Sequence, residues 1–114
     1  MARVDFGLGY SPYMSPLAVE LYSIVLKIPS GRCTNYGALG RALTQPVSGY
    51  VVGRWLASTP PDVPWQRVVG KDGSFLIAKR DAALAIEQER LLRAEGVPFT
   101  NDGRVDLKLC FFDP

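Results

Sequence analysis

Hydrophobic positions first follow a helical pattern between residues 17 and 25, where apolar side chains lie one helical turn apart. Ser15 precedes this stretch and Pro16 opens it. A serine oxygen accepts hydrogen bonds from the free N–H groups of a helix start, and proline has no N–H to leave unpaired there. Pro29 and Gly31 follow the stretch and favour its end. The pattern predicts one amphipathic helix near the beginning of the chain.

Two shorter apolar patterns follow. One covers residues 36–43 and has Thr34 or Asn35 as a possible cap, and the other begins after Ser48 and ends before Pro60. A break at residues 44–46 separates the two. Two short helices joined by a tight break are typical of a helix-turn-helix.

The second half of the chain predicts a hairpin and a longer helix. Two short apolar segments, residues 68–69 and 75–77, flank the turn-forming sequence 70–73, which predicts a β-hairpin. Asp81 is suited to cap the longer helix, and Gly96 is suited to follow its end. The expected fold class is mainly α with a small β-hairpin wing, a winged-helix or helix-turn-helix DNA-binding domain.

Composition excludes several classes of function. The chain has 114 residues, which suits a single domain over residues 1–114. It has no histidine, which excludes histidine acid–base chemistry and most zinc sites, and we expect neither a metal nor a cofactor. No apolar run is long enough for a bilayer and the first residues lack a signal-peptide core. We therefore expect a cytoplasmic protein with no membrane contact, in which Cys33 and Cys110 are free thiols.

Charge is unevenly distributed along the chain. The net charge is +2, but between residues 27 and 80 eight basic residues face only two acidic ones. From residue 81 onward seven acidic residues face four basic ones. A basic middle beside an acidic end is typical of a polyanion-binding face with a solvated back, although chance clustering gives the same pattern.

A short motif in the basic region resembles a known active site. The segment Pro64-Trp65-Gln66-Arg67-Val68 is similar to the Pro-Cys-His-Arg-Val motif of the O6-alkylguanine-DNA alkyltransferases. Further matches extend from about residue 17 to about residue 107 and lie, in order, in residues 28–31, 34–37, 52–53, 91–97 and 102–107. The last of them is closer to the alkyltransferase-like proteins, which carry tryptophan or another residue in place of the reactive cysteine. The chain resembles this alkyltransferase-like group.

The resemblance implies a pocket for an alkylated base. Trp65 stands at the cysteine position and Gln66 at the histidine position. An indole offers no thiolate, and a carboxamide does not titrate near neutral pH as imidazole does. Such a pocket holds an alkylated base without repairing it. The residues assigned to the pocket are Trp65, Arg67, Val68 and Arg80. Two of them have a second interpretation, Trp65 as an ordinary core residue and Arg67 as a residue that fixes the structure around the motif.

Charged residues near the motif have alternatives. Arg80 is expected to lie against the flipped base, since a guanidinium stacks on a purine face, and its neighbour Lys79 competes for that role. A solvated charge before a helix is the other interpretation of Arg80. Glu95 matches the carboxylate that orients the transferase histidine. Without that histidine, Glu95 is expected to be a structural hydrogen-bond acceptor.

DNA contacts are assigned to the helix-turn-helix by the same resemblance. Tyr36 matches a tyrosine that presses on the DNA backbone and helps to rotate the nucleotide out, or else it anchors the helix start. Tyr50 stands where the family usually has an arginine finger, and its ring can stack in the gap without the charged hydrogen bond to the orphaned cytosine. The alternative is that Tyr50 is an ordinary surface residue of the helix. Gly53 matches the recognition helix. Arg54 can supply the missing charge, but a phosphate contact is favoured for it.

The leading hypothesis is non-enzymatic recognition of O6-alkylguanine in double-stranded DNA by a monomer that binds in the minor groove and flips the base. The resemblance implies that the persistent complex attracts nucleotide-excision repair proteins. One alternative is a winged-helix transcription regulator without lesion preference. Another is a true alkyltransferase that uses Cys33 or Cys110, although neither lies in the motif.

Overall fold

A computed structural model describes residues 15–114, in which the first helix, α1, is Pro16–Val25. The Ser15 hydroxyl accepts a hydrogen bond from the Leu17 N–H at 3.2 Å, and Pro16 lies in the first turn, so this predicted helix start is confirmed. The helix ends before Gly31, which has φ +89°, a conformation that glycine adopts without strain.

Helices α2, Tyr36–Ala42, and α3, Gly49–Leu56, form the predicted helix-turn-helix. The break between them is tight because the Val47 N–H donates to the Gly40 carbonyl at 3.1 Å. A Cβ atom at Gly40 would lie 2.1 Å from the Val47 carbonyl oxygen. Only glycine therefore permits this close approach of α2 to the segment that leads into α3.

Two short strands lie behind the helix-turn-helix. Strand β1, Thr34–Asn35, leads directly into α2, and strand β2, Val68–Val69, pairs with it in parallel. Thr34 is opposite Val68, and Asn35 is opposite Val69. Asn35 also caps α2, since its side-chain oxygen accepts a hydrogen bond from the Ala38 N–H at 2.8 Å. The pairing therefore fixes the start of α2 against the segment that contains the resemblance motif.

The predicted hairpin wing is wrong in its second arm, since Leu76–Lys79 is a 3-10 helix and β2 pairs with β1 instead. The Gly70 N–H donates to the Ser74 carbonyl at 2.8 Å and closes a tight turn. Gly73 then lies against Val105, and the Val105 N–H donates to the Gly73 carbonyl at 3.0 Å. These contacts direct the chain away from β2, while β1 takes the hydrogen-bonding edge that the hairpin would have needed.

The chain ends with helices α4, Ala82–Ala94, and α5, Leu107–Cys110. The Asp81 carboxylate caps α4 by accepting from the N–H groups of its first turn, and Gly96 follows its end with φ +79°. Both boundary predictions are confirmed. No helix within residues 15–114 is long and apolar enough to cross a membrane.

Two hydrophobic clusters meet at β2. Val68 belongs to the larger cluster, which α1, α2 and α3 enclose, and Val69 belongs to a smaller cluster with Leu92, Val105 and Cys110. Successive strand residues face opposite sides, so one two-residue strand serves both clusters. The helix-turn-helix and the C-terminal region therefore pack on opposite faces of β2.

Candidate nucleic-acid interface

An open cavity of about 850 Å³ lies between α2, α3 and the 3-10 helix Leu76–Lys79. This volume is within the range of ligand-binding clefts. Its lining includes two tyrosines, four basic residues and two apolar residues, which are Tyr36, Tyr50, Arg54, Lys71, Lys79, Arg80, Leu76 and Ile77. The cavity therefore offers aromatic and cationic groups beside the helix-turn-helix.

Tyr36 is half-buried where α2 starts and forms one wall of the cavity. Its backbone and Cβ pack on Gly49, where an added Cβ would lie 3.2 Å from the Tyr36 Cβ. Its ring lies near Gly53, where an added Cβ would be 3.9 Å from two of the ring carbons. Burial raises the pKa of the Tyr36 phenol, and the positive charge of Arg80 opposes part of that rise. Tyr36 therefore both anchors the helix start and contributes to the cavity.

Tyr50 and Arg54 lie one turn apart on α3, at the rim of the cavity. Tyr50 is 74% exposed, which is unusual for a large aromatic side chain. Arg54 is also exposed, and its guanidinium is 3.5 Å from the Tyr50 hydroxyl oxygen, a long contact. Both side chains are thus presented to a partner and contribute little to the core.

Basic residues around the cavity have no acidic partner among residues 15–114. No carboxylate in this part of the chain lies within ion-pair distance of Arg54, Lys71, Lys79 or Arg80. By contrast, Arg67, Arg90, Arg93 and Arg104 each pair with a carboxylate. Uncompensated cations around an open cleft raise the local concentration of anionic ligands.

Glu95 connects the motif to the loop after α1. Its carboxylate accepts hydrogen bonds from the Arg67 guanidinium at 3.0 and 3.1 Å, from Gln66 at 2.9 Å and from the Gly31 N–H at 3.3 Å. Arg67 also donates to the Ile28 carbonyl at 2.7 Å. Burial alone would raise the Glu95 pKa, but the hydrogen bonds from Arg67, Gln66 and Gly31 outweigh it and lower that pKa. The expectation that Glu95 is a structural acceptor agrees with this geometry.

Three residues assigned to the base pocket do not line the cavity. Val68 is fully buried in the larger cluster, so its side chain is core and not a pocket wall in this structure. Arg67 is paired with Glu95 and is not among the residues that line the cavity. Trp65 is half-buried on the 3-10 helix Trp65–Arg67, outside the set of lining residues. A pocket wall at Trp65 therefore stays a prediction.

The remaining predicted site residues come together. Tyr36, Tyr50, Gly53, Arg54 and Arg80 all line the one cavity, and so does Lys79, the competitor of Arg80. Their roles toward DNA stay predictions, but their common location is a property of the fold.

Several residues around the site were not assigned from the sequence. Lys71, Leu76 and Ile77 line the cavity because the chain turns away from β2. Gln88, a buried polar residue of α4, donates to the carbonyls of Gln66 at 3.1 Å and Val68 at 3.0 Å. Its place on the apolar face of the predicted helix was the only sequence signal for such a role.

Neither cysteine has the environment of a reactive thiol. Cys33 is 0% and Cys110 is 2% exposed, and burial is the main cause that raises the pKa of each. A thiolate nucleophile needs the opposite shift and access to its substrate. No group of histidine, cysteine, aspartate and glutamate side chains within residues 15–114 is suited to hold a metal ion.

Comparison with known proteins gives consistent results. Residues 16–97 match the family described as 6-O-methylguanine DNA methyltransferase, DNA binding domain. A DNA base-flipping protein of Escherichia coli (strain K12) is 32% identical, over 78% of this chain and 68% of that protein. Alkyltransferase-like protein 1 of Schizosaccharomyces pombe is 29% identical, over 84% of this chain and 90% of that protein.

A solved structure resembles the fold closely. The crystal structure of S. pombe Atl1 in complex with damaged DNA containing O6-carboxymethylguanine has a TM-score of 0.74 and 30% identity, over 89% of this chain and 98% of that one. The likeness confirms the mainly helical, helix-turn-helix fold class predicted from the sequence.

Proposed function

The chain belongs to the family of the DNA-binding domain of 6-O-methylguanine DNA methyltransferase, and we propose that it recognises O6-alkylguanine in double-stranded DNA without repairing it. The observation that carries the proposal is the open cavity beside the helix-turn-helix, which combines Tyr36 and Tyr50 with four cations that have no acidic partner within residues 15–114. The names of the relatives support it, since they are base-flipping and alkyltransferase-like proteins.

Electrostatic attraction brings the duplex to the cavity. Arg54, Lys71 and Lys79 have no acidic partner within residues 15–114, and the phosphate groups of DNA take that place. Contacts of this kind hold any DNA sequence and weaken with salt. They position the protein in the minor groove but do not distinguish damaged from undamaged guanine.

Discrimination arises when the base leaves the stack. Flipping costs a few kcal/mol, and a damaged, poorly paired base costs least, so a lesion enters the cavity more readily than guanine. The exposed Tyr50 ring fills the gap that remains in the duplex. In this proposal Arg80 stacks on the flipped purine, and the support is that it lines the same cavity as Tyr36.

Chemistry at the bound base is absent in this proposal because the motif lacks its reactive groups. Trp65 stands at the cysteine position and Gln66 at the histidine position of the resembling motif. Gln66 donates to Glu95, so the carboxylate that would orient a histidine is already occupied. The two cysteines of the chain lie in the core, with raised pKa values.

The four cations that line the cavity further favour a lesion whose O6 substituent is negatively charged. A carboxymethyl group, as in the damaged DNA bound by S. pombe Atl1, would carry its charge into the cationic cavity. Duplexes with O6-carboxymethylguanine and with its neutral carbamoylmethyl isostere separate charge from size. We expect tighter binding of the carboxymethyl duplex at low salt. Equal affinities would leave lesion recognition intact and remove the charge preference.

One titration tests the proposal directly. Identical duplexes with guanine and with O6-methylguanine are compared at one stated salt concentration, because phosphate contacts dominate raw affinity. We expect tighter binding of the lesion, and mass spectrometry should show that the bound oligonucleotide keeps its methyl group. Equal affinity for both duplexes, or sequence-specific retention of either, would favour a transcription regulator. Recovery of unmodified guanine with a methylated protein would instead demonstrate an alkyltransferase.

Recruitment of nucleotide-excision repair proteins by a monomeric complex completes the proposal. Its support is that a lesion bound without turnover persists and marks the site with a distorted duplex. A pull-down of repair proteins with lesion duplex, in the presence and absence of the protein, tests it. Retention that needs both the lesion and the protein supports recruitment, and retention that is independent of the protein contradicts it.

A further inference from the structure

The two cysteines of the chain meet where the C-terminal segment crosses the start of β1. The Cys33 N–H donates to the Cys110 carbonyl at 3.0 Å, and the Phe112 N–H donates to the Cys33 carbonyl at 2.7 Å. Cys33 and Phe111 thereby form a parallel bridge. The two thiols also share a side-chain hydrogen-bond interaction, so their side chains approach each other, as a disulfide requires.

The two thiols share one hydrophobic environment. Cys33 and Cys110 belong to the smaller cluster, and each affects the pKa of the other. Arg32 keeps the C-terminal segment in place in the reduced state, since its guanidinium donates to the carbonyls of Cys110, at 3.1 Å, and of Phe111. The approach of the two residues is therefore built by several hydrogen bonds that do not involve sulfur.

We propose that Cys33 and Cys110 form a disulfide when the protein meets a peroxide, and that this bond fastens the C-terminal segment to the base of the helix-turn-helix. The step begins when the C-terminal segment loosens and exposes the thiols to solvent, where one of them loses its proton. Its thiolate attacks a peroxide oxygen, becomes a sulfenic acid and releases the other oxygen, which leaves as water after protonation. The second thiolate attacks the sulfenic sulfur and displaces a second water. Two thiols and one hydrogen peroxide thus give one disulfide and two waters.

The position of the bond gives it a structural consequence. Cys33 immediately precedes β1, which leads into the Asn35 cap and Tyr36. A disulfide to Cys110 closes a loop that contains most of the described chain, and a long closed loop restricts the unfolded state strongly. The oxidised protein should therefore unfold at a higher temperature. Burial makes the reaction slow, because the C-terminal segment must loosen before a thiolate forms.

The test uses the full chain treated with hydrogen peroxide or left reduced. Mass spectrometry of the intact protein should show the loss of two hydrogens, and an unreduced digest should contain a peptide that joins Cys33 to Cys110. Thermal unfolding should shift to a higher Tm, and a thiol reductant should restore the original value. Sulfonic acids without a cross-link, disulfide-linked dimers, or a cross-link that leaves Tm unchanged would each overturn the proposal.

Variants provide a control. Cys33→Ala and Cys110→Ala should show no increase of Tm after peroxide treatment, because neither can close the bond. If the variants fold poorly, the comparison of oxidised and reduced wild-type protein still decides the question. The experiment contains no DNA, so its outcome is independent of lesion recognition.

Discussion

The cavity and the Glu95 network, in which Arg67, Gln66 and Gly31 donate hydrogen bonds to Glu95, differ in whether the charge of their arginines is balanced. In the network, Arg67 is mostly buried and its charge is balanced by one carboxylate that accepts from several donors. Around the cavity, Arg54 and Arg80 have no acidic partner among residues 15–114. The first arrangement stabilises the folded chain, whereas the second leaves charge available to an anionic partner.

The comparison shows that residues of the motif stabilise the fold, whereas the cavity is formed by other segments. Gln66 and Arg67 hold the loop after α1 through Glu95, which agrees with the structural interpretation of Arg67. The cavity is instead formed by the helix-turn-helix and the 3-10 helix Leu76–Lys79. Substitutions in the two regions should therefore separate stability from DNA binding.

The largest effect is expected for Arg67→Met. Removing the guanidinium leaves Glu95 partly buried without its cation, which should cost about 2–4 kcal/mol of unfolding free energy. Urea denaturation measures this loss. Arg90→Met is the matched control, since the Arg90–Glu87 pair is exposed, and it should leave stability nearly unchanged. Equal losses in the two variants would contradict a structural role specific to the Glu95 network.

Tyr50→Ala should weaken DNA binding and leave the stability of the fold unchanged. The side chain is 74% exposed, so thermal stability should not change. Loss of a stacking ring should weaken binding to an O6-methylguanine duplex by about 1–3 kcal/mol, and Tyr50→Phe should retain most of the affinity. Titration of the three proteins with one duplex measures the effect. Wild-type affinity in Tyr50→Ala would make Tyr50 an ordinary surface residue.

Among the residues that line the cavity, Arg80 should affect lesion discrimination, whereas Arg54 should affect the affinity for any DNA. Arg80→Ala should reduce the ratio of lesion to undamaged affinity, with little change in salt dependence. Arg54→Ala should weaken both duplexes alike and flatten the slope of log affinity against log salt by about 0.9 for each lost phosphate contact. Titrations at several salt concentrations measure both quantities. The base-stacking role of Arg80 fails if its variant behaves like Arg54→Ala.

The smallest effect concerns acid stability. Because hydrogen bonds lower the Glu95 pKa below its ordinary value of 4.5, Glu95 stabilises the fold fully above that pH. This contribution is lost as the pH falls through the lower, folded-state pKa. Unfolding free energies over about pH 3–7 should therefore decrease less steeply toward acid in Glu95→Gln than in wild type. Parallel curves for the two proteins would show that Glu95 is not part of the acid response.

Local signals predicted the helices well. Ser15, Asn35, Ser48 and Asp81 each accept a backbone hydrogen bond at a helix start, as their residue types indicated. Such caps depend on residues two or three positions away, so the sequence contains the whole interaction. The hairpin failed for the opposite reason, because the partner of β2 is Thr34–Asn35, far away along the chain.

The candidate site shows the same division. Residue type and resemblance selected Tyr36, Tyr50, Arg54 and Arg80, and the fold gathers them in one cavity. The burial of Val68 was not predicted, because alternation in a two-residue strand does not reveal which face meets the core. The position of Arg67 depends on its contact with Glu95, which lies 28 positions away along the chain.

The helix starts, the absence of histidine chemistry, the basic middle of the chain and the family follow from the sequence, since each depends on residue types or on short-range contacts. Which arginines are neutralised, where β2 pairs and that the two cysteines meet follow from the fold. These properties depend on residues distant along the chain, and their proximity exists only after the hydrophobic clusters have formed.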